Sequence, residues 1–199
     1  VPAQTIGKLQ VSSSTVANLQ AGGANTLTIG AAATDALAVD GSSQLNVSGA
    51  TALTIAVATT ARGSISGSMN FAGGAHKLTS VDASGITFQS GATFTSDTGF
   101  TGNAFGSGTT ASVIFANGST YIFKAGSNPF STTGGVVSFQ TGSLYSHQTT
   151  GAPSFSGKTY ANFELNASGA AISSTGGNPL TMDNLTITLG TLNLNLTTN

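Results

Sequence analysis

The chain contains no cysteine and no tryptophan, and only 6% of its 199 residues are charged. Without cysteine there is no disulfide, no zinc–thiolate site and no thiol nucleophile, and the redox compartment cannot be read from cysteine usage. A soluble domain usually carries roughly a quarter of its residues as charges. Here the whole ionic inventory is Lys8, Arg62, Lys77, Lys124 and Lys158 against Asp35, Asp40, Asp82, Asp97, Glu164 and Asp183. These are scattered singly and nearly cancel, so no basic stripe exists to neutralise phosphates or hold an anionic membrane. Nucleic acid is not an expected partner. Nor is membrane insertion, because no run approaches the roughly 20 consecutive apolar residues of a membrane helix. The chain opens on Val1 without a basic and apolar leader, which leads us to expect processing or excision from a longer precursor.

What remains is 39% hydrophobic residues set among Ser, Thr, Asn and Gly. A short apolar alternation keeps returning: Leu27 and Ile29, Leu37 and Val39, Leu45 and Val47, Leu53 and Ile55, then Met69 and Phe71, Ile86 and Phe88, Val113 and Phe115, Tyr121 and Phe123, Val137 and Phe139, Phe163 and Leu165. Period two puts both members of a pair on one face of a strand. Strands of this kind start about eight residues apart, which leaves almost no room for helices.

Such a rhythm fits an antiparallel β-sandwich or a solenoid. The sandwich calls for hairpin signals, and only Asp40-Gly41 and Asn117-Gly118 are clear ones. The favoured fold is therefore an all-β parallel β-helix, or β-solenoid, of short strands, with roughly three per coil; the β-sandwich is the alternative. Coils of about 25 residues give roughly seven to eight of them, a rod about 35 Å long at about 4.8 Å per coil. Residues 1–199 read as one elongated domain. Every Phe and Tyr falls between Phe71 and Phe163, so a wider or less regular middle is expected over residues 71–160, because larger side chains require a wider interior.

The segments Lys158–Leu165 (KTYANFEL), Asn178–Ile187 (NPLTMDNLTI) and Gly190–Leu194 (GTLNL) resemble the repeats of large secreted bacterial β-strand-repeat proteins, among them adhesins and autotransporter-like passengers. In those, a Y-x-N-L-x-I strand precedes L-x-V-x-x-G-x-L-x-L. The likeness covers about 40 residues at the C-terminal end, and Phe163 stands where the repeats carry Leu. The resemblance implies an extracellular, cell-surface location, a β-helical fold, and adhesion or scaffolding rather than catalysis.

Few residues offer chemistry. A carbohydrate-active β-helix enzyme clusters carboxylates with Arg or Lys, whereas these acids are thinly spread. Asp35 with Asp40 and Lys77 with Asp82 are close in sequence and read as solvated corners. His76 and His147, with only Asp82 near either, do not make a metal set, and no cofactor is expected. Gly63-Ser64-Ile65-Ser66-Gly67 has glycines at nucleophile-elbow spacing, but Ile65 occupies the centre. The sequons at Asn46, Asn117, Asn166, Asn184 and Asn195 are of the number chance gives in so Asn- and Thr-rich a chain. Thr26 with Thr28, Thr93 with Thr95 and Thr186 with Thr188 do not recur as the flat arrays of ice-binding solenoids do; they read as solvated strand faces.

Two features point to function. The last strand, Thr191 to Thr197, alternates Leu192, Leu194 and Leu196 with no polar cap, an open template for a further strand. The expected partner is self, as a homopolymer, or the remainder of a longer surface protein, in a filament or fibre. The second feature is Tyr121, Tyr145, Tyr160 and His147, read as an exposed surface for glycans in an adhesin module. A non-enzymatic structural protein is the leading expectation, the adhesin the second and a carbohydrate-active enzyme the third.

Overall fold

A computed structural model of the chain describes residues 3–30, 35–130 and 135–196; Val1 and Thr197 lie outside the described residues. No helix occurs among them, and every strand pairing is parallel. The first coil is β1 (Gln4–Ile6), β2 (Leu9–Val11) and β3 (Val16–Gln20), and the second β4 (Asn25–Ile29), β5 (Leu37–Val39) and β6 (Gln44–Ser48). β7 (Leu53–Val57), β8 (Gly63–Ile65) and β9 (Ser68–Phe71) form the third, and β10 (Lys77–Ser80), β11 (Ile86–Phe88) and β12 (Thr93–Ser96) the fourth. Two-strand coils follow, β13 (Val113–Phe115) with β14 (Thr120–Phe123) and β15 (Val137–Phe139) with β16 (Leu144–His147), before the long β17 (Asn162–Gly176) and β18 (Asn184–Leu196).

Strands stack on their counterparts one coil away, giving three sheets of 4, 6 and 8 strands. The result is a β-solenoid of about 8 turns. In the eight-stranded sheet, successive partners are 28 residues apart from Val16 to Gln44, 24 to Ser68, 25 to Thr93, 27 to Thr120, 24 to Leu144, 18 to Asn162 and 22 to Asn184. Hairpins, and with them the β-sandwich, are ruled out by these long parallel separations.

Alternation becomes columns. Along the inner face of the eight-stranded sheet run Ala17, Leu45, Met69, Phe94, Tyr121, Tyr145, Phe163 and Leu185, and beside them Leu19, Val47, Phe71, Ser96, Phe123, His147, Leu165 and Ile187. In the six-stranded sheet, Val11, Val39 and Ile65 are succeeded by Phe88, Phe115 and Phe139. Phe88 stacks on Phe115 at 4.5 Å between ring centroids and Phe115 on Phe139 at 5.0 Å. Each ring so buried contributes about 1.5–3 kcal/mol.

The four-stranded sheet ends at β10. Beyond it that side of the rod is irregular backbone carrying the buried Phe100, Phe105, Phe130 and Phe155, still joined coil to coil by Leu78 N–H to Ala104 O at 2.8 Å and Ser127 N–H to Gly102 O at 2.8 Å. On the outer faces, Asn46 donates to Asn18 Oδ1 at 2.9 Å and Asn184 to Asn162 Oδ1 at 2.7 Å. Thr26 stacks on Thr54 but Thr28 on Ala56, so the threonine array is interrupted.

Candidate assembly edge

The structure corrects the proposed glycan surface. Tyr121, Tyr145, Tyr160 and His147 are 0%, 2%, 1% and 1% exposed, and all four pack in the aromatic core. Tyr121 and Tyr145 have the parity of Leu45 and Met69, which fixes them inward. A tyrosine hydroxyl is readily buried when a partner is in reach. Tyr121 donates to Ser96 Oγ at 3.2 Å and Tyr160 to Ser154 O at 2.7 Å. Burial pushes all three phenols well up from their ordinary range.

His76 is equally enclosed. Its Nδ1 accepts the Leu53 N–H at 3.1 Å and its Nε2–H donates to Ala72 O at 3.1 Å. Burial lowers its pKa, outweighing the backbone carbonyls that favour the proton. The ring is a neutral clamp between coils.

The charged side chains are dispersed over the surface. Arg62 meets Asp82 at 3.0 Å, Asp82 also accepting the Thr60 N–H at 2.6 Å, and Lys124 meets Asp97 at 3.2 Å. The Thr98 N–H, with help from Lys124 and Asn70, holds the Asp97 carboxyl below its ordinary range. Glu164 accepts from Ser146 Oγ at 2.6 Å and Thr188 Oγ at 2.7 Å. Among the described residues no three His, Asp or Glu side chains gather as a metal set. A groove of about 420 Å³ beside β10, walled by Ala56, Val57, Thr79, Val81, Phe105 and Val136 among others, contains no charged side chain.

The distinctive surface is the terminal strand. Phe163 and Leu165 on β17 are 1% and 0% exposed, yet Leu185 and Ile187, their register partners on β18, are each 43% exposed. The register and the inward parity are the same on the two strands; what differs is that no described rung covers the outer edge of β18. Leu194 at 38% extends the apolar strip, with Leu192 partly buried beside it, while Leu189, 49% exposed, follows a register shift and pairs with Asn166. Leu196 is the last residue of β18. The sequence points to Leu192, Leu194 and Leu196; the structure adds Leu185 and Ile187, whose exposure depends on whether another rung follows. At the opposite end, Val16 on β3 is 56% exposed because it is on the outward face, in register with Gln44.

No protein-family model, no curated protein and no solved structure matches the chain, so the reading of this edge rests on its own geometry.

Proposed function

We propose that the chain is a non-enzymatic structural segment of an extracellular, cell-surface filament or fibre, joined through the β18 edge to a further rung supplied by another copy or by more of the same polypeptide. The observation that carries this is the jump from buried Phe163 and Leu165 to exposed Leu185 and Ile187 at identical register. An unpaired parallel edge presents both backbone hydrogen-bonding groups and apolar side chains, and a matching strand satisfies both. A net charge of -1 leaves little self-repulsion to oppose axial packing. The dispersed carboxylates and the uncharged groove favour a structural role over catalysis. Burial of the three tyrosines removes the contacts on which the adhesin reading relied.

Sedimentation and negative-stain electron microscopy test the proposal. Wild-type protein is expected to form concentration-dependent rods longer than one copy, and Ile187→Lys with Leu194→Lys, two exposed positions, to leave folded monomers. A wild-type chain that stays monomeric at every concentration and does not extend when further coils of its own polypeptide are appended contradicts it.

A further inference from the structure

His147 ends β16 with its ring inside the rod, between Phe123 and Leu165 in a column otherwise made of apolar groups and Ser96. It is 1% exposed and lies nearly parallel to the Phe123 ring at 5.3 Å, with Tyr145 and Phe163 alongside. Its Nε2 is 2.6 Å from Gly151 O. A carbonyl only accepts, so Nε2 carries the proton and Nδ1 is a bare lone pair. That Nδ1 is buried without a hydrogen-bond partner.

Gly151 belongs to the corner Gln148–Ser154, whose first residue is anchored by its N–H to Phe123 O at 2.7 Å and its Nε2 to Ser146 Oγ at 3.1 Å, while the rest has few ties. No backbone N–H from Thr149 to Ser156 donates to a described backbone carbonyl. The corner is tied instead by side chains: His147 to Gly151 O, Tyr160 Oη to Ser154 O at 2.7 Å, and Asn128 Nδ2 to Ser154 Oγ at 2.7 Å. Across from it lies the Lys124–Pro129 corner, and the two wall a groove of about 280 Å³.

We propose that His147 is an acid-operated latch: neutral, it fastens the Gln148–Ser154 corner to the core, and protonation releases that corner while the rest of the rod stays folded. The protonated ring places a second N–H and a full charge inside the core, at a nitrogen that has no hydrogen-bond partner in the closed corner, which is costly. No charged group facing the ring compensates. Tyr145 beside it is kept neutral by burial. Lys124, next to Phe123, points outward to Asp97, and Glu164 on β17 is on the outer face, engaged by Ser146 and Thr188. The corner itself has no titratable side chain. Burial accordingly lowers the ring's pKa, and the carbonyls of Gly151 and Thr149 that favour the proton do not offset this. Swinging the corner out gives the imidazolium water. His76 differs in having both nitrogens engaged by backbone.

The sign follows from linkage. The open corner has an ordinary histidine near pH 6.5 and the closed one a lower value, so opening takes up a proton below about pH 6.5; each pH unit beneath that raises the opening constant up to about tenfold until the closed form also titrates. Hydrogen exchange read by mass spectrometry at pH 7.5, 6.5 and 5.5, corrected for intrinsic rates, tests this on a peptide spanning residues 148–154. Wild type is expected to open more at pH 5.5 than at 6.5, by up to about fivefold, with residues 44–71 still protected. His147→Gln, which keeps a donor for Gly151 O, and His147→Phe, which fits the aromatic column, are expected to show flat profiles. A flat wild-type profile, the same rise in both variants, or simultaneous loss of protection along the whole chain overturns the latch. Should neither variant fold, the His147 ring followed by NMR decides: a titration that does not coincide with corner opening overturns it equally.

Discussion

A single β-carbon shows how little slack the corners have. Added at Gly67, it would sit 2.2 Å from Asp40 O and 2.3 Å from Ser43 O, backbone atoms of the coil below that cannot swing away. Gly67→Ala is therefore expected to lower stability by roughly 1–3 kcal/mol, the range for an overpacked interior, while Gly22→Ala, with nothing within 4 Å of the added carbon, stays within about 0.5 kcal/mol. Urea midpoints of the two variants check the contrast. In the core, Phe115→Ala removes a ring stacked on both Phe88 and Phe139 and is expected to cost about 3–5 kcal/mol. The two buried histidines add a pH dependence. Both have lowered pKa values in the fold, so the unfolded chain binds protons that the folded chain refuses. Stability is full above about pH 6.5 and falls as pH drops through the interval down to the folded values. A urea midpoint lower at pH 5.5 than at 7.5 is the expected result, and an unchanged one contradicts it.

Among the elements, what the residues disclose is face, not neighbour. Leu45 with Val47, Ile86 with Phe88 and Val113 with Phe115 announce their strands and their inward parity, and each proves to be a strand with those two side chains buried. Parity says nothing about which strand stacks on which, because the coil step varies from 18 residues at Leu144–Asn162 to 28 at Val16–Gln44. The end of the four-stranded sheet at β10 was equally hidden: Phe105 and Phe130 fill that side from irregular backbone with no alternation to betray them. The tyrosines were misplaced because their hydroxyl partners, Ser96 for Tyr121 and Ser154 for Tyr160, come from elsewhere in the coil stack or corner. At the candidate edge, Leu192 and Leu194 were legible as an uncapped alternation. Leu185 and Ile187 were not, since exposure there depends on whether another rung follows and leaves no trace in the strand's own composition.

The whole molecule is a rod about 35 Å long, from about 4.8 Å per rung, and among the described residues no helix is long and apolar enough to cross a membrane. Its coils rest on segments some 24 residues apart, such as Gln44 and Ser68, lying side by side and in parallel. Because the chain has no cysteine, engineered thiols test this without background. Asn46 and Asn70 are register partners on outward positions of adjacent rungs, a separation a disulfide can span, whereas Asn46 and Thr95 are two rungs apart and beyond its reach. Mild oxidation of Asn46→Cys/Asn70→Cys is expected to give a nearly complete intramolecular disulfide, and Asn46→Cys/Thr95→Cys almost none. Equal cross-linking of the two pairs, or none in the first, contradicts the parallel coil on which the fold and its assembly edge depend.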